Sequence, residues 1–92
     1  SCVGYQGHFT ETSVALVNHG FEQKFQNLVQ DADLVKAAKK FRGNVDYKLV
    51  QNDRQPREFR FVETWKNYEA ARKWKEEGLP STLFKDSEMV KA

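Results

Sequence analysis

Hydrophobic positions along this chain switch between two periods, and the order of the switches predicts its elements. Val14-Ala-Leu-Val17 is a compact apolar run, expected as a strand of a half-buried sheet. Asn18-His19-Gly20 marks a turn. From Phe21 the apolar residues recur at Phe25, Leu28, Ala32 and Val35, and Leu34, Ala38 and Phe41 extend the same face of a helix. Asp31 and Asp33 either interrupt that helix or cap a second one. Lys36, Lys39 and Lys40 crowd its last turns, where cations favour the C-terminal dipole. Arg42-Gly43-Asn44 then supplies a stop that can turn left-handed.

The period returns to two at Val45, Tyr47 and Leu49, alternating with Asp46 and Lys48, which predicts another strand. Gln51 to Pro56 reads as a polar hairpin loop, and Arg57 to Trp65 as the strand that follows it. Asn67 is a good N-cap for a last helix with Tyr68, Ala71 and Trp74 on its inner face and a Glu69–Lys73 pair outside. Gly78 and Pro80 end it. Tyr5 to Phe9, within a polar stretch over 1–13, is a short extra strand or a loose arm. The tail, 81–92, is left open between a short helix and a last edge strand.

The strand at Arg57–Trp65 carries the most information. Side chains alternate across a strand, so Phe59, Phe61, Glu63 and Trp65 share one face, with a carboxylate standing in a row of rings. A strand serving only as core would have another apolar residue at Glu63. This face therefore lines a cavity or meets a partner. The element order gives an α+β plan, a small antiparallel sheet with its helices on one face. The opposite face then needs a cover, and a second copy of the chain is the expected one.

Composition narrows the setting. At 92 residues this is one small domain, 1–92, with 39% hydrophobic and 30% charged residues, soluble and globular rather than disordered. Seven Phe, three Tyr and two Trp must supply much of a thin core. A net charge of +2 permits an anionic ligand without requiring nucleic acid or a membrane. The single Cys2 excludes an internal disulfide and, near the chain end, reads as inert. No apolar run suits a membrane span and no secretory signal is seen, so a cytoplasmic setting is expected.

Phe41-Arg-Gly-Asn-Val-Asp-Tyr-Lys-Leu49, Pro56, Phe59-Arg-Phe-Val-Glu-Thr-Trp65 and Tyr68-Glu-Ala-Ala71 together resemble the antibiotic-biosynthesis-monooxygenase-like family. The resemblance spans Val14 to Leu83, and Glu63-x-Trp65 is its most specific part. It implies a ferredoxin-like sheet, a homodimer closed into a dimeric α+β barrel, and a cleft in each subunit. Some members of the family oxidise quinol-like aromatics with oxygen and no metal or prosthetic group, which implies no cofactor here. A related branch degrades haem. Two departures bear on this. Trp74 stands where the family often has a His, and the family's last strand is hard to find in Ser81 to Ala92. For haem degradation only Trp65 matches; Asn18 lies at a strand end and no His follows His19, so the axial ligand is missing.

Glu63 is the candidate catalytic residue. Among aromatic rings its carboxylate loses solvation, and its pKa rises toward that of a usable base. The structural alternative is a pair with Lys or Arg across the dimer, or a hydrogen bond to a buried hydroxyl or Trp N–H. Trp65, Trp74, Tyr47 and Phe61, with Phe59, are candidates for an aromatic wall against a flat ligand, or for ordinary core. His8 and His19 read as surface histidines, and two isolated His make no metal site. The expected function is cofactor-independent, monooxygenase-like action on a small phenol- or quinol-like molecule. The alternative is a non-catalytic dimeric barrel that binds a small ligand or a partner protein. A third class is an RNA-binding module, since Arg57-Glu-Phe-Arg-Phe-Val62 also resembles the RNP1 strand of an RNA-recognition motif. That reading needs Phe59 and Phe61 exposed for base stacking. Glu58 and Arg60 in place of small residues, and Val14–Val17 without an aromatic, argue against it.

Overall fold

Central to the sheet is the strand in which rings and a carboxylate alternate with polar residues. The computed structural model describes residues 7–84 and 89–90. In chain order the elements are β1 (Phe9–Leu16), α1 (Glu22–Asp31), α2 (Leu34–Lys40), β2 (Asn44–Gln51), β3 (Glu58–Trp65), α3 (Tyr68–Glu77) and the single turn α4 (Pro80–Leu83). The sheet is antiparallel in the order β1-β3-β2. Glu11 lies opposite Glu63 on one side and Tyr47 on the other, so one face collects Phe9, Glu11, Ser13 and Ala15 with Phe59, Phe61, Glu63, Trp65, Tyr47 and Leu49.

That face lies beneath the chain's own helices. Phe25 of α1 packs on Phe59 with ring centroids 4.7 Å apart, and Trp74 of α3 lies 5.9 Å from Trp65. Phe25, Val29, Leu34, Ala38, Ala71 and Trp74 are the buried helical residues that close over it. Phe59 and Phe61 are 2% and 8% exposed, which removes the ring surface that the RNA-binding alternative requires. The opposite face carries Thr10, Thr12, Val14, Val62, Thr64, Lys48 and Val50, with Val14 and Val50 exposed.

Three expectations are corrected and one open alternative is settled. The first strand is not confined to Val14–Val17: it starts at Phe9 and takes in residues that looked like arm, while Val17 makes only an isolated bridge to Val90. The helical stretch over 21–41 is interrupted and forms two helices. Asp33 sits in the left-handed region at φ 56°, its N–H donating to the Gln30 carbonyl, and it does not cap α2 with its side chain. The break re-aims the chain so that Leu34 and Ala38 are buried, whereas Leu28 is only half-buried and Val29 takes the inner position. Tyr68 is exposed, touching Phe9 edge-on, and does not join the inner face of α3. Glu69 pairs with Arg72 rather than Lys73, and Arg72 also reaches Glu76 at 2.6 Å.

Other expectations hold. Asn67 caps α3, its side chain accepting from the Ala70 N–H at 2.9 Å, and Gly78 ends that helix. The tail proves to hold one helical turn followed, at Met89–Val90, by a bridge to Val17 and an Asn18 N–H to Met89 carbonyl bond of 2.8 Å. The family's last strand is thus reduced, among the described residues, to a single bridge beside β1. Cys2 and Tyr5 lie outside the described residues.

Gly43 makes the turn from α2 into β2, at φ +88°, and its carbonyl accepts from the Lys66 N–H at 2.8 Å. A Cβ there would stand 2.7 Å from the Ala70 Cβ. Gly43→Ala is therefore expected to cost about 1–3 kcal/mol from left-handed backbone strain and the forced shift of α3. Urea denaturation measures this, and an unchanged midpoint would contradict it.

Candidate active site

Toward the C-terminal end of β3, Glu63 lies between β1 and β2, with Trp74 of α3 over the same face. The carboxyl is 4% exposed. Its Oε1 accepts from the Trp65 indole N–H at 2.9 Å, a bond between two residues on the same strand face. Tyr47, 2% exposed, stands beside it across the β2–β3 pair, and the Tyr47 ring meets Trp74 edge-on at 5.8 Å. Phe41 closes the far side of Trp74 at 5.2 Å.

A cavity of about 220 Å³ opens against this group, with Tyr47, Phe61, Glu63, Trp74, Lys75 and Phe84 on its wall beside Ser13, Ala15 and Pro80. Its floor is the sheet, and its roof is α3 and α4. Phe84 follows α4 and stacks over Phe25 at 5.8 Å while meeting Phe61 edge-on at 5.9 Å. The wall is apolar apart from Ser13, Tyr47, Glu63 and Lys75. Outside Glu63, Lys75 Nζ bonds Glu11 at 2.7 Å, joining the last turn of α3 to β1.

These surroundings set the proton affinities. Burial pushes the Glu63 carboxyl above the usual carboxylate range, the Trp65 N–H pulls the other way, and the Glu11 charge adds to the rise while Lys75 opposes it. Burial, then the Glu63 charge, holds the Tyr47 phenol above its ordinary value, so Tyr47 acts as a neutral hydrogen-bonding hydroxyl. A carboxyl poised in this way exchanges a proton with a bound hydroxyl more readily than an exposed one does.

The structure brings together Glu63, Tyr47, Phe61 and Trp74 on the cavity wall. Trp65 is fully enclosed and does not line the cavity: its expected contact with a ligand is replaced by its grip on Glu63. Phe59 also lies away from the cavity, under Phe25. His8 and His19 are exposed, as expected for surface histidines. Among the described residues, no group of three His, Cys, Asp or Glu side chains is placed to hold a metal ion. Sequence reasoning missed Glu11, Lys75, Ser13 and Phe84. Glu11 and Ser13 fall in the polar stretch read as an arm or extra strand, and Lys75 and Phe84 carry no local signal.

Residues 14–79 match the antibiotic biosynthesis monooxygenase family, most of the chain. The chain belongs to that family. No curated protein matches the sequence. Among solved structures, a candidate antibiotic biosynthesis monooxygenase from Nitrosomonas europaea is similar with a TM-score of 0.82 at 18% identity, over 96% of this chain and 85% of that one. A protein from Shewanella oneidensis matches with a TM-score of 0.82 at 19% identity, over 96% and 85% of the two chains. One from Pseudomonas aeruginosa gives 0.81 at 15%, over 97% and 90%. At these identities the likeness establishes the α+β ferredoxin-like fold. No helix among the described residues is long and apolar enough to cross a membrane.

Glu63 and Trp65, two residues apart on one face of β3, are joined by a hydrogen bond. Trp74 occupies the place where the resemblance expected an imidazole, and it fills that place as a ring packed against Phe41, Tyr47 and Trp65.

Proposed function

We propose that this protein is a cofactor-independent monooxygenase-like catalyst that takes a small phenol- or quinol-like aromatic into the cavity beside Glu63. The observation that carries the reading is a buried carboxyl with a raised pKa on a cavity wall that also holds the rings of Tyr47, Phe61, Trp74 and Phe84. Trp74, Phe61 and Phe84 hold the flat ring. Glu63 in its ionised form accepts the hydroxyl proton. The resulting anion passes an electron to dioxygen, the two radicals combine at a ring carbon, Glu63 returns its proton to the peroxide, and loss of water with that carbon's hydrogen leaves the oxygenated quinone.

The functional unit is a homodimer in this reading, with the Thr- and Val-rich outer face of the sheet closed by the same face of a second copy. Exposed Val14 and Val50 on that face support it. A cytoplasmic location accords with the lone cysteine. In air-saturated buffer containing a chelator, the protein is expected to convert a bicyclic naphthalenediol to its hydroxyquinone with one dioxygen consumed per molecule. A rate equal to that of buffer alone would contradict the proposal.

A second reading, a non-catalytic barrel that binds a small ligand, is favoured by one observation. The Trp65 N–H already satisfies Glu63, and the model of a structural carboxylate needs nothing more. Binding of a quinol without turnover would select it.

A further inference from the structure

We propose that Lys75 is the specificity-determining residue of the cavity and that it selects a flat aromatic ligand bearing an acidic group. The inference rests on the reading of the cavity as an aromatic-binding site and adds the chemical class of the ligand.

Among the described residues Lys75 is the one cation on the cavity wall, and the remaining wall is apolar except for Ser13, Tyr47 and Glu63. Its ammonium is fixed at the mouth by a 2.7 Å bond to Glu11, and only the cationic member of this pair lines the cavity. An ammonium has three donors, so Lys75 can hold Glu11 and still donate to a ligand acid. A carboxylate on a ring lying along Trp74 and Phe61 would meet that charge at the mouth, where its remaining lone pairs stay in water. A cavity of about 220 Å³ admits one or two fused rings and little more, so the acid must sit on the ring system itself.

The charged groups around this position are few and opposed in sign. β1 contributes Glu11, β3 contributes Glu63 and β2 contributes the neutral Tyr47. Glu63 is engaged by the Trp65 N–H at 2.9 Å, whereas Lys75 bonds Glu11. Glu11 is then the group that competes with the ligand for Lys75.

Isothermal titration calorimetry at about pH 7 with a matched bicyclic pair, naphthoate and naphthol, tests this, since one is ionised there and the other neutral. The native protein is expected to bind naphthoate about fivefold more tightly than naphthol, the scale of a half-exposed ion pair. Lys75→Gln should bring the two affinities to parity by weakening naphthoate alone. Glu11→Gln, which frees the ammonium, should tighten naphthoate several-fold. Naphthol bound as tightly as naphthoate, or a preference that survives Lys75→Gln, would overturn the inference while leaving the aromatic site standing. Binding of neither probe would overturn both.

Discussion

Replacing Trp74 by alanine is expected to lower the unfolding free energy by about 3–5 kcal/mol, the range for removing a large aromatic from a packed core. The side chain is 1% exposed, and its neighbours Phe41, Tyr47 and Trp65 lie within 5.2–5.9 Å of its ring centre. These rings come from β2, β3 and the loop after α2, so none can follow the void without moving its own backbone. A chain of this length has only about 5–14 kcal/mol in total at the usual stability per residue. The variant should therefore unfold at a much lower urea concentration, and Trp74→Phe should recover much of the loss. A change below about 1 kcal/mol would mean that the cluster is loosely packed.

Glu63→Gln is expected to reduce oxygenation of a quinol-like substrate by about 10²–10⁴-fold, the usual worth of a positioned base. The amide keeps the shape and still accepts from Trp65. Stability should change little in the acidic range and move in the variant's favour at higher pH. The sign follows from proton binding. Burial raises the folded pKa of Glu63 above 4.5, so between that value and the folded pKa the native state holds a proton that the unfolded chain has released. Native stability consequently falls as pH rises through this window and is level beyond it. The variant lacks that fall, so its stability relative to the parent should climb across the same window. Denaturation at a series of pH values measures the difference, and a flat difference would show that Glu63 titrates normally. Activity runs the other way: a base must be ionised, so turnover should rise with pH through the folded pKa.

Much of this architecture was legible because each side chain reports its own face. Alternation in Phe59-Arg-Phe-Val-Glu-Thr-Trp65 placed Glu63 among rings, and Asn67 and Gly78 bounded α3 by local hydrogen bonding and chain reversal. β1 was only partly legible. Its inward positions Glu11, Ser13 and Ala15 are small or polar because part of that face borders the cavity, so the apolar signal of a strand is missing from its first half. The break at Asp33 was ambiguous for a related reason. Leu34 and Ala38 continue the helical spacing across it, and a left-handed aspartate leaves no mark that distinguishes it from a cap. The Lys75–Glu11 pair lies 64 residues apart in sequence and depends on how α3 crosses the sheet, which no local pattern encodes.

Trp65 illustrates the limit of reasoning by residue type. An indole near a carboxylate suits a ligand wall and a buried hydrogen bond equally, and only burial separates the two roles. The outer sheet face poses a second case. Thr10, Thr12, Val14 and Val62 alternate with inward residues, but Thr10 and Thr12 lie in the stretch read as an arm, so this face emerged only once β1 was seen to start at Phe9.

The most direct test of the account is a crystal structure with a quinol-like molecule bound. The account predicts its ring against Trp74 and Phe61 and its hydroxyl oxygen within about 3 Å of the Glu63 carboxyl. A ring bound on the outer sheet face, or held in the cavity with its hydroxyl turned away from Glu63, would contradict it.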